Sequence, residues 1–374
     1  MPCVDRVLIV GGGIAGLTAA IAISQKGIAC EIVETTPSGE PVGAAITIIG
    51  PAVNALAAVG ILEACQELGH VNPLTWGDYD AAGRHIGQTP STPTKPPPAV
   101  GIYRPILADL LRQQALKSGV NLRHSTHVNA LSQGDHSVSV EFSDASRGTY
   151  DLVIGADGIR SSVRRLVFGE RIQPRYAGQT SIRWMAEGPP IEGPTMLYRA
   201  RSAYLLAYSL PRQNLIYVAT VSNRDPTEHV NDDRARSVLA EQLAEFSAPF
   251  VVELAKRLTA HSKVIVRPFE WLLVPDPWFC GRIVLIGDAA HATTAHLAAG
   301  GGMAMEDAVV LSECLSPGAD VRTALEAFMR RRFERVRLVV DTSVAIIKLE
   351  KEGTSAADIE AFRLDTLRRL ATPY

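Results

Sequence analysis

The stretch Arg6-Val7-Leu8-Ile9-Val10-Gly11-Gly12-Gly13-Ile14-Ala15-Gly16 decides the fold of this chain. Its first five residues are mostly β-branched, which is typical of a buried parallel strand. Gly11, Gly13 and Gly16 then permit a tight turn, a close approach of the backbone to a pyrophosphate, and close packing of the next helix on the strand. Residues 17–23 continue as that helix, whose N-terminal amides can hold phosphate charge. The pattern predicts a strand–turn–helix unit that binds a dinucleotide.

An acidic residue follows this unit at a spacing that is typical of dinucleotide-binding motifs. A second strand, Ala29-Cys30-Glu31-Ile32-Val33, ends at Glu34. Glu34 lies 34 − 16 = 18 positions after Gly16, close to the spacing of about 20 expected for an acid that binds a ribose 2′-hydroxyl. Because a carboxylate there would repel a 2′-phosphate, the spacing disfavours NADP as the resident ligand. FAD and NAD both fit this motif, which does not choose between them.

The composition is that of a globular enzyme. The 374 residues are enough for two domains or one elaborated domain, and they are 47% hydrophobic and 20% charged. A net charge of −2 gives no general attraction to nucleic acid or to an acidic membrane. We expect no membrane span and no signal peptide. The five cysteines are scattered and lack metal-type spacing, so we expect free thiols, a cytoplasmic location and no metal site.

The hydrophobic pattern also predicts three further helices, at about 52–68, 233–257 and 321–350. The last of these carries an arginine cluster, which we interpret as a solvated helix face; a nucleic-acid patch is the weaker alternative. Its members are Arg330, Arg331, Arg332, Arg335 and Arg337. The Pro-rich segment 89–98 is expected to be extended and to serve as a connector, with a lid as the alternative.

A second motif lies in the middle of the chain. The apolar run Asp151-Leu152-Val153-Ile154 predicts a buried strand that leads into Gly155-Ala156-Asp157-Gly158. A carboxylate at the C-terminal end of a strand lies where open α/β sheets bind ligands. A turn-forming role for Asp157 is an equal alternative.

A third motif lies near the end of the chain. The strand pattern of residues 281–286 leads into Gly287-Asp288-Ala289-Ala290-His291, and small residues follow as far as Gly302. Such a stretch lets the backbone lie against a planar ring. A helix that starts at 300–303 would direct its N-terminal amides at that ring, and a reduced flavin is anionic along one edge. Asp288, as an acceptor, suits a ribityl hydroxyl.

In this order, the three motifs resemble those of the single-component FAD-dependent aromatic monooxygenases of the para-hydroxybenzoate and salicylate hydroxylase type. The resemblance covers nearly the whole chain, and residues 287–308 are especially similar to the salicylate hydroxylase branch. It implies an α/β fold with a discontinuous Rossmann-like FAD-binding domain, an inserted sheet-rich substrate domain and C-terminal helices. We assign residues 1–70, 100–174 and 271–320 to the first, 71–99 and 175–270 to the second, and 321–374 to the last.

The resemblance also implies which residues contact FAD. It places the first glycines at the pyrophosphate, Glu34 at the adenosine ribose, Asp288 at the ribityl chain and the backbone of 300–303 at the flavin ring. Asp157 would lie near both FAD and the nicotinamide donor. The predicted FAD-binding residues are Gly11, Gly13, Ala15, Gly16, Glu34, Ala45, Arg104, Val128, Asp157, Asp288, Gly300, Gly301, Gly302 and Met303. The chain departs from the family at Ala295, where Pro is usual, and at Ala45, where Gly is frequent.

The implied activity is hydroxylation of an aromatic or heteroaromatic small molecule by a monomer or homodimer. NAD(P)H would bind transiently and reduce FAD, and the reduced flavin would capture O2 as a C4a-hydroperoxide that attacks the substrate ring. One alternative is an FAD-dependent reductase or dehydrogenase that does not use O2. Another is a flavin-binding protein without enzymatic activity.

Four residues are candidates for contact with the substrate. Arg183, Tyr198 and Tyr204 would come from the inserted sheet, and His296 from the segment near the flavin. We expect Arg183 to anchor an anionic or carbonyl-bearing ring, Tyr204 to hydrogen-bond a phenol or ring nitrogen, and His296 to assist deprotonation. The alternatives are a surface position for Arg183 and packing roles for the tyrosines and for His296.

Overall fold

The structure is a computed structural model that describes residues 4–37, 43–72, 76–89, 99–189, 195–228, 230–315, 318 and 320–374. The strands in these ranges are β1 (Arg6–Val10), β2 (Ala29–Val33), β3 (Ala45–Ile48), β4 (His70–Asn72), β5 (Trp76–Asp80), β6 (His85–Thr89), β7 (Ala99–Tyr103), β8 (Asn121–Arg123), β9 (Val128–Gln133), β10 (Val138–Phe142), β11 (Arg147–Tyr150), β12 (Leu152–Gly155), β13 (Arg175–Glu187), β14 (Thr195–Arg199), β15 (Ala203–Leu210), β16 (Leu215–Asn223), β17 (Val264–Trp271), β18 (Phe279–Cys280) and β19 (Ile283–Leu285).

The helices surround these strands and close the chain. They are α1 (Ile14–Ser24), α2 (Ala52–Ala58), α3 (Leu62–Leu68), α4 (Arg104–Lys117), α5 (Ser162–Phe168), α6 (Asp232–Leu243), α7 (Pro249–Ala255), α8 (Asp288–His291), α9 (Gly300–Cys314), α10 (Val321–Lys351) and α11 (Ala356–Leu370), with short 3-10 turns at Pro211–Gln213 and Ala295–Leu297. Among the described residues, no helix combines the length with the apolar character that a bilayer crossing requires.

A six-stranded sheet brings the three sequence motifs together. Its order is β18-β19-β12-β1-β2-β8, and every neighbouring pair is parallel except β18 with β19. Val10 of β1 pairs with Gly155 of β12, which pairs in turn with Leu285 of β19. Because these three strands are adjacent and parallel, the turns that follow them lie at one edge of the sheet.

A seven-stranded, mostly antiparallel sheet lies beside the first, in the order β17-β13-β16-β15-β14-β5-β6. One of its faces is covered by α6 and α7, which bury Trp184, Leu205 and Val218 against Leu239 and Val251. Since side chains alternate along a strand, the neighbouring residues face the opposite side. That other side is the one that faces the motif edge of the first sheet.

Two of the predicted helices are each divided into two. The expected helix at 52–68 breaks at Gly60, whose φ of +76° ends α2, and restarts as α3. The expected helix at 233–257 breaks before Pro249, because proline has no N–H for the preceding turn and instead begins α7. The long helix was predicted at 321–350, and α10 runs from Val321 to Lys351.

The interpretation of the arginine cluster as a solvated face is wrong for two of its members. Arg332 is 0% exposed and pairs with Glu306 and Asp307 of α9. Arg335 is mostly buried and also pairs with Glu306. The other three arginines are exposed. The run of arginines suggested a solvent-exposed face. Two of these arginines instead lie on the buried face of α10, where acids of α9 neutralise their charge.

The mixed α/β architecture with C-terminal helices is as predicted, whereas the domain division stays a prediction. In its favour, β5 and β6 join the seven-stranded sheet with β13–β17. β4, by contrast, pairs with β7 in a small sheet that also contains β3. Residues 90–98 of the proposed connector lie outside the part of the chain that the structure describes.

Candidate functional site

A cleft lies where the motif edge of the first sheet faces the second sheet. It contains two cavities of about 530 and 550 Å³, and Gly13, Ala156 and Gly158 line both of them. The first cavity is bordered by the ends of β1 and β2, and the second by β3, α9 and the seven-stranded sheet. Because they share these wall residues, the two cavities adjoin, and this arrangement is suited to a long ligand.

The glycines of the first motif are required by close contacts. Gly11 has a φ of +110°, and a Cβ there would lie 2.4 Å from the carbonyl oxygen of Ala156. A Cβ on Gly16 would lie 1.9 Å from the carbonyl oxygen of Gly11. A Cβ on Gly13, in contrast, would meet no atom within 4 Å. The backbone of Gly13 therefore borders open space in the cleft, where a pyrophosphate can approach it.

Glu34 is held in the wall of the first cavity by the backbone. Its carboxylate accepts hydrogen bonds from the N–H of Gly12 at 2.7 Å and of Thr36 at 2.8 Å. Burial opposes its ionisation, but these hydrogen bonds hold the pKa of Glu34 below its ordinary value. Glu34 is thus an ionised acceptor. Val128 begins β9 immediately after His127, which lines this cavity, and is itself buried.

Asp157 both lines the first cavity and caps a helix. Its Oδ2 accepts hydrogen bonds from the N–H of Ser162 at 2.6 Å and of Val163 at 3.1 Å, at the start of α5. The hydroxyl of Ser161 donates to its Oδ1 at 2.5 Å. Within the chain, the Asp157 carboxylate therefore stabilises the turn that leads into α5, which is the turn-forming alternative. A contact with a ligand stays a prediction.

Asp288 and Arg104 lie on the wall of the second cavity. Asp288 follows Gly287, which has a φ of +57°, and it is exposed to the cleft. The surrounding protein raises its pKa, although His291 and Arg104 oppose the shift. Desolvation, followed by the charge of Arg183, lowers the pKa of Arg104. The cavity therefore holds charged groups that lack full solvation and can gain partners from a ligand.

The first residues of α9 face the same cavity. Gly300 and Gly301 line it, and Ala299 at the N-cap has no side-chain acceptor for the first N–H groups of the helix. Gly302 instead packs on α2, since a Cβ there would lie 2.7 Å from that of Ala52. The N–H of Met303 already donates to the carbonyl of Ala299 at 2.8 Å. Of the predicted ring-binding backbone, only Gly300 and Gly301 are in the cavity lining.

The seven-stranded sheet supplies the opposite wall. Tyr208 and Tyr217 are paired across β15 and β16, with ring centroids 4.8 Å apart. Burial, and then the neighbouring Tyr217, raise the pKa of Tyr208. Among the described residues, no hydrogen-bond partner reaches the buried Nε of Arg183 or the buried Oγ1 of Thr293. The wall from the sheet and the 293–298 segment consists of Arg183, Leu206, Tyr208, Tyr217, Arg267, Pro268, Phe269, Glu270, Thr293, Thr294, Ala295 and Ala298.

Comparisons with known proteins show the family to which this chain belongs. Residues 5–343 match the model of the FAD binding domain family. The chain belongs to this family. It is 31% identical over 355 residues to the aurachin C monooxygenase/isomerase of Stigmatella aurantiaca, covering 91% of this chain and 88% of that protein. It is 28% identical over 353 residues to the FAD-dependent urate hydroxylase of Klebsiella oxytoca, covering 90% and 88%.

The structural comparison agrees. Klebsiella pneumoniae HpxO, in its crystal structure with FAD and uric acid, matches with a TM-score of 0.83 and 26% identity, over 98% of this chain and 94% of that one. The predictions of an FAD-binding α/β fold and of an FAD-dependent monooxygenase are confirmed. The cleft also fits the cofactor of the family, because the open backbone of Gly13 lines both adjoining cavities, with the acceptor Glu34 in one and the N-terminus of α9 in the other.

The structure places the four predicted substrate contacts differently from one another. Arg183 lines the second cavity, and its contact with a substrate stays a prediction. Tyr198 does not: it pairs with Leu205, lies on the sheet face covered by α6 and α7, and stacks between Tyr79 and Phe250 at 5.1 and 6.0 Å. This placement argues against a substrate contact by Tyr198.

Tyr204 and His296 lie near the cavity but outside its lining. Tyr204 is on the cavity-facing side of β15, where it packs in a small apolar cluster with Phe269 and Ile347. The His296 side chain is 3% exposed, with Nδ1 2.9 Å from Oγ1 of Thr294 and Nε2 3.5 Å from Oε2 of Glu350. Both placements favour the packing alternative over contact with the reacting ring.

Sequence reasoning missed most of the sheet wall. Tyr208, Tyr217, Arg267 and Phe269 line the cavity, and none of them was a candidate. The sequence did contain a signal for Tyr208. It lies four residues after Tyr204 in the same strand, and since side chains alternate along a strand, both face the same side of the sheet. For the others, the side that faces the cleft depends on how strands distant in sequence are paired.

Proposed function

We propose that this FAD-dependent monooxygenase hydroxylates a planar aromatic or heteroaromatic molecule that carries negative charge. The observation that carries the proposal is the Arg183 side chain, whose Nε is buried in the cavity wall without a hydrogen-bond partner among the described residues. A buried donor without an acceptor is costly, and an anionic substrate would supply one.

The charges around Arg183 support an anion. The cavity is lined by three guanidinium groups, those of Arg104, Arg183 and Arg267, and by two carboxylates, those of Glu270 and Asp288. Arg267 pairs with Ser181, so it lies diagonally next to Arg183 on the same sheet face. Two guanidinium groups on one wall favour binding of a carboxylate, or of a ring that is deprotonated.

The apolar part of the same wall supports a planar ring. Tyr208 and Tyr217 are tilted by 43° with centroids 4.8 Å apart, and Leu206 and Phe269 lie beside them in the cavity lining. Aromatic and aliphatic side chains with a few directed polar groups are typical of sites for small planar ligands. The relatives agree: one is named for urate, a planar heteroaromatic molecule, and the HpxO structure contains uric acid.

For FAD, we propose roles that follow the geometry of the cleft. Gly11, Gly13 and Gly16 shape the pyrophosphate turn, Glu34 accepts from the adenosine ribose, and Asp288 accepts from the ribityl chain. Gly300 and Gly301 offer backbone N–H groups to the flavin ring, where the helix dipole stabilises negative charge. FAD, reduced by transiently bound NAD(P)H, supplies the oxygen-transfer chemistry when bound. The protein orients the substrate and excludes water from the reacting edge.

The test is a substrate panel with matched charge. Salicylate, hydroxybenzoates and urate, which are anions, are compared with uncharged analogues such as phenol, salicylamide and simple hydroxypyridines, and NAD(P)H oxidation, O2 uptake and product mass are recorded. We expect the anions to stimulate NAD(P)H oxidation with O2 uptake and to gain one oxygen. Equal stimulation by the uncharged analogues would contradict the charge requirement. NAD(P)H loss without O2 uptake would instead favour the reductase alternative.

The Arg183→Ala variant tests the anchor itself. Loss of a charge-assisted hydrogen bond is expected to raise KM for the best anion about ten- to a hundredfold. Arg199→Ala is a matched control, since Arg199 belongs to the same sheet but pairs with Asp78 and is not part of the cavity lining. A KM for Arg183→Ala that equals that of the control would remove Arg183 from the substrate site.

We also propose a cytoplasmic location and a monomeric or homodimeric state. The described cysteines Cys30, Cys65, Cys280 and Cys314 are free thiols, which suits a reducing compartment. Size-exclusion chromatography with light scattering measures the oligomeric state directly.

A further inference from the structure

A buried ion network lies behind the turn that carries Asp288. The N–H of Gly287 donates to Oδ2 of Asp307 at 2.9 Å, and Nε2 of His291 lies 2.5 Å from the same oxygen. Asp307 and His291 are 0% and 1% exposed. One carboxylate oxygen therefore holds both ends of the segment 287–291, which has Asp288 within it.

Arg332 of α10 completes the support of Asp307. Its Nε donates to Oδ1 of Asp307 at 2.7 Å, and its Nη1 donates to Oε2 of Glu306 at 2.7 Å. Its Nη2 donates to the carbonyl of Met303 at 3.2 Å. Arg332 and Glu306 are both 0% exposed. Burial opposes ionisation of Asp307, but His291 and Arg332 hold its pKa below the ordinary value.

Arg335 connects this network to the last residues of the chain. Its Nε and Nη2 donate to Glu306 at 2.8 and 3.1 Å. Its Nη2 also donates to the carbonyl of Leu370 at 2.7 Å, and its Nη1 to that of Thr372 at 3.1 Å. Two arginines and two acids balance in charge, so the buried network is neutral when His291 is neutral.

The opposite side of the turn is also fixed. Gly287 has a φ of +57°, in the left-handed region that favours glycine. A Cβ on Gly287 would lie 3.0 Å from the Cβ of Ala15 and 3.1 Å from that of Ala304, and both of these alanines line the cavity beside Asp288. The turn is thus enclosed between the cavity wall in front and Asp307 behind, and a shift of Asp307 must move Asp288.

We propose that Asp307 and Arg332 are positioning residues for FAD, which hold the 287–291 turn so that Asp288 faces the cleft, and that Arg335 extends this support to the C-terminal residues Leu370 and Thr372. None of these side chains touches the cavity. The inference rests on the proposed contact between Asp288 and FAD and is independent of the substrate.

The experiment measures FAD affinity and apoprotein stability separately. FAD is removed, and each apoprotein is titrated with FAD by flavin fluorescence and melted without FAD. Asp307→Asn keeps the shape of the side chain but removes its charge, and we expect it to raise the Kd for FAD about tenfold or more. The control is Leu325→Ala on α10, the helix that carries Arg332: Leu325 is 0% exposed and lies outside the network. We expect it to lower the apoprotein Tm and to change the Kd by less than about twofold.

A second pair of variants decides the question if Asp307→Asn does not fold. Arg335→Gln acts at the edge of the network, and Arg337→Gln is its matched control, because the exposed Arg337 pairs with Glu334 on its own helix. We expect Arg335→Gln to raise the Kd about threefold or more and Arg337→Gln to leave it unchanged. The proposal is overturned if Arg335→Gln keeps the wild-type Kd, or if Leu325→Ala weakens FAD binding as much as Asp307→Asn does.

An Asp288→Ala variant separates the route from its starting assumption. We expect it to raise the Kd for FAD without lowering the apoprotein Tm. A raised Kd in Asp307→Asn together with an unchanged Kd in Asp288→Ala would overturn the route through Asp288. No arm uses a substrate, so a failure here leaves the proposed hydroxylation to its own test.

Discussion

Arg160 and Glu270 form an ion pair across the junction of the two cavities, with N–O distances of 2.7 and 2.9 Å. Arg160 lines the nucleotide-motif cavity and Glu270 lines the cavity at the seven-stranded sheet. The pair therefore joins the turn after β12 to the end of β17, where the two cavities adjoin.

The effect of breaking this pair is expected on FAD exchange rather than on stability. Arg160 is 61% exposed, so Arg160→Gln should cost less than about 1 kcal/mol of unfolding free energy. Loss of the link between the two walls should increase the dissociation rate of FAD a few-fold, measured by transfer of FAD to a second apo-flavoprotein. Arg165→Gln is the control. Arg165 lines the same cavity, but its ion pair is with Glu170, at 3.9 Å, in the same segment of the chain and not in the opposite wall. Equal dissociation rates in both variants would speak against the link.

Two glycines of the first motif should respond differently to alanine. A Cβ on Gly16 would overlap the carbonyl of Gly11 at 1.9 Å, so Gly16→Ala should destabilise the apoprotein by about 1 to 3 kcal/mol and also lose FAD. A Cβ on Gly13 would meet no protein atom within 4 Å. Gly13→Ala should therefore keep the apoprotein within about 1 kcal/mol of wild type and still weaken FAD binding. Apoprotein melting and FAD titration separate the two cases, and normal FAD affinity in Gly13→Ala would place the pyrophosphate elsewhere.

The sequence was sufficient to predict the three strand–turn motifs that line the cleft. Gly11, Asp157 and Asp288 each follow an apolar run that reads locally as a buried strand, and the positions of glycine and acid after those runs are local features too. In the structure β1, β12 and β19 are adjacent and parallel, so the three turns meet at one edge of the sheet. Short-range chemistry is what a single sequence reveals most directly.

The opposite wall depends on long-range pairing, which the sequence did not reveal. Tyr208 contacts Tyr217 only because of the register in which β15 and β16 pair. β15 is apolar on both faces, so its sequence pattern does not indicate that Tyr208 lines the cavity and Tyr204 does not. The same holds for Arg332, which is buried because Glu306 and Asp307 on another helix face it. The sequence alone does not distinguish a solvent-exposed arginine from a buried arginine that is paired with acids on another helix.

Two tyrosines offer a direct comparison of the two sheet faces. Tyr208→Phe removes a hydroxyl from the cavity wall, whereas Tyr198→Phe removes one that contacts Sδ of Met196 on the far face. We expect Tyr208→Phe to raise KM for the best substrate about five- to tenfold and Tyr198→Phe to leave it within twofold. Steady-state kinetics with the identified substrate give both values. The reverse order of effects would mean that the substrate approaches the other face of the sheet.

Replacement of Asp288 by Asn should stabilise the apoprotein and weaken FAD binding. Asp288 faces the cleft, and desolvation by the surrounding protein raises its pKa in the folded state above its value in the unfolded chain. A group shifted in this way favours the folded state most at low pH, and this contribution is lost as the pH rises through its folded-state pKa. Asp288→Asn removes the cost of the ionised form, so its Tm should exceed that of wild-type apoprotein at neutral pH, with the difference shrinking as the pH falls through the raised folded-state pKa toward the ordinary value of aspartate. Melting of both apoproteins from pH 4 to 8 measures this difference, and Asp341→Asn on the exposed side of α10 should show none. A Tm difference that grows toward low pH would mean that Asp288 is stabilised as a carboxylate even without FAD.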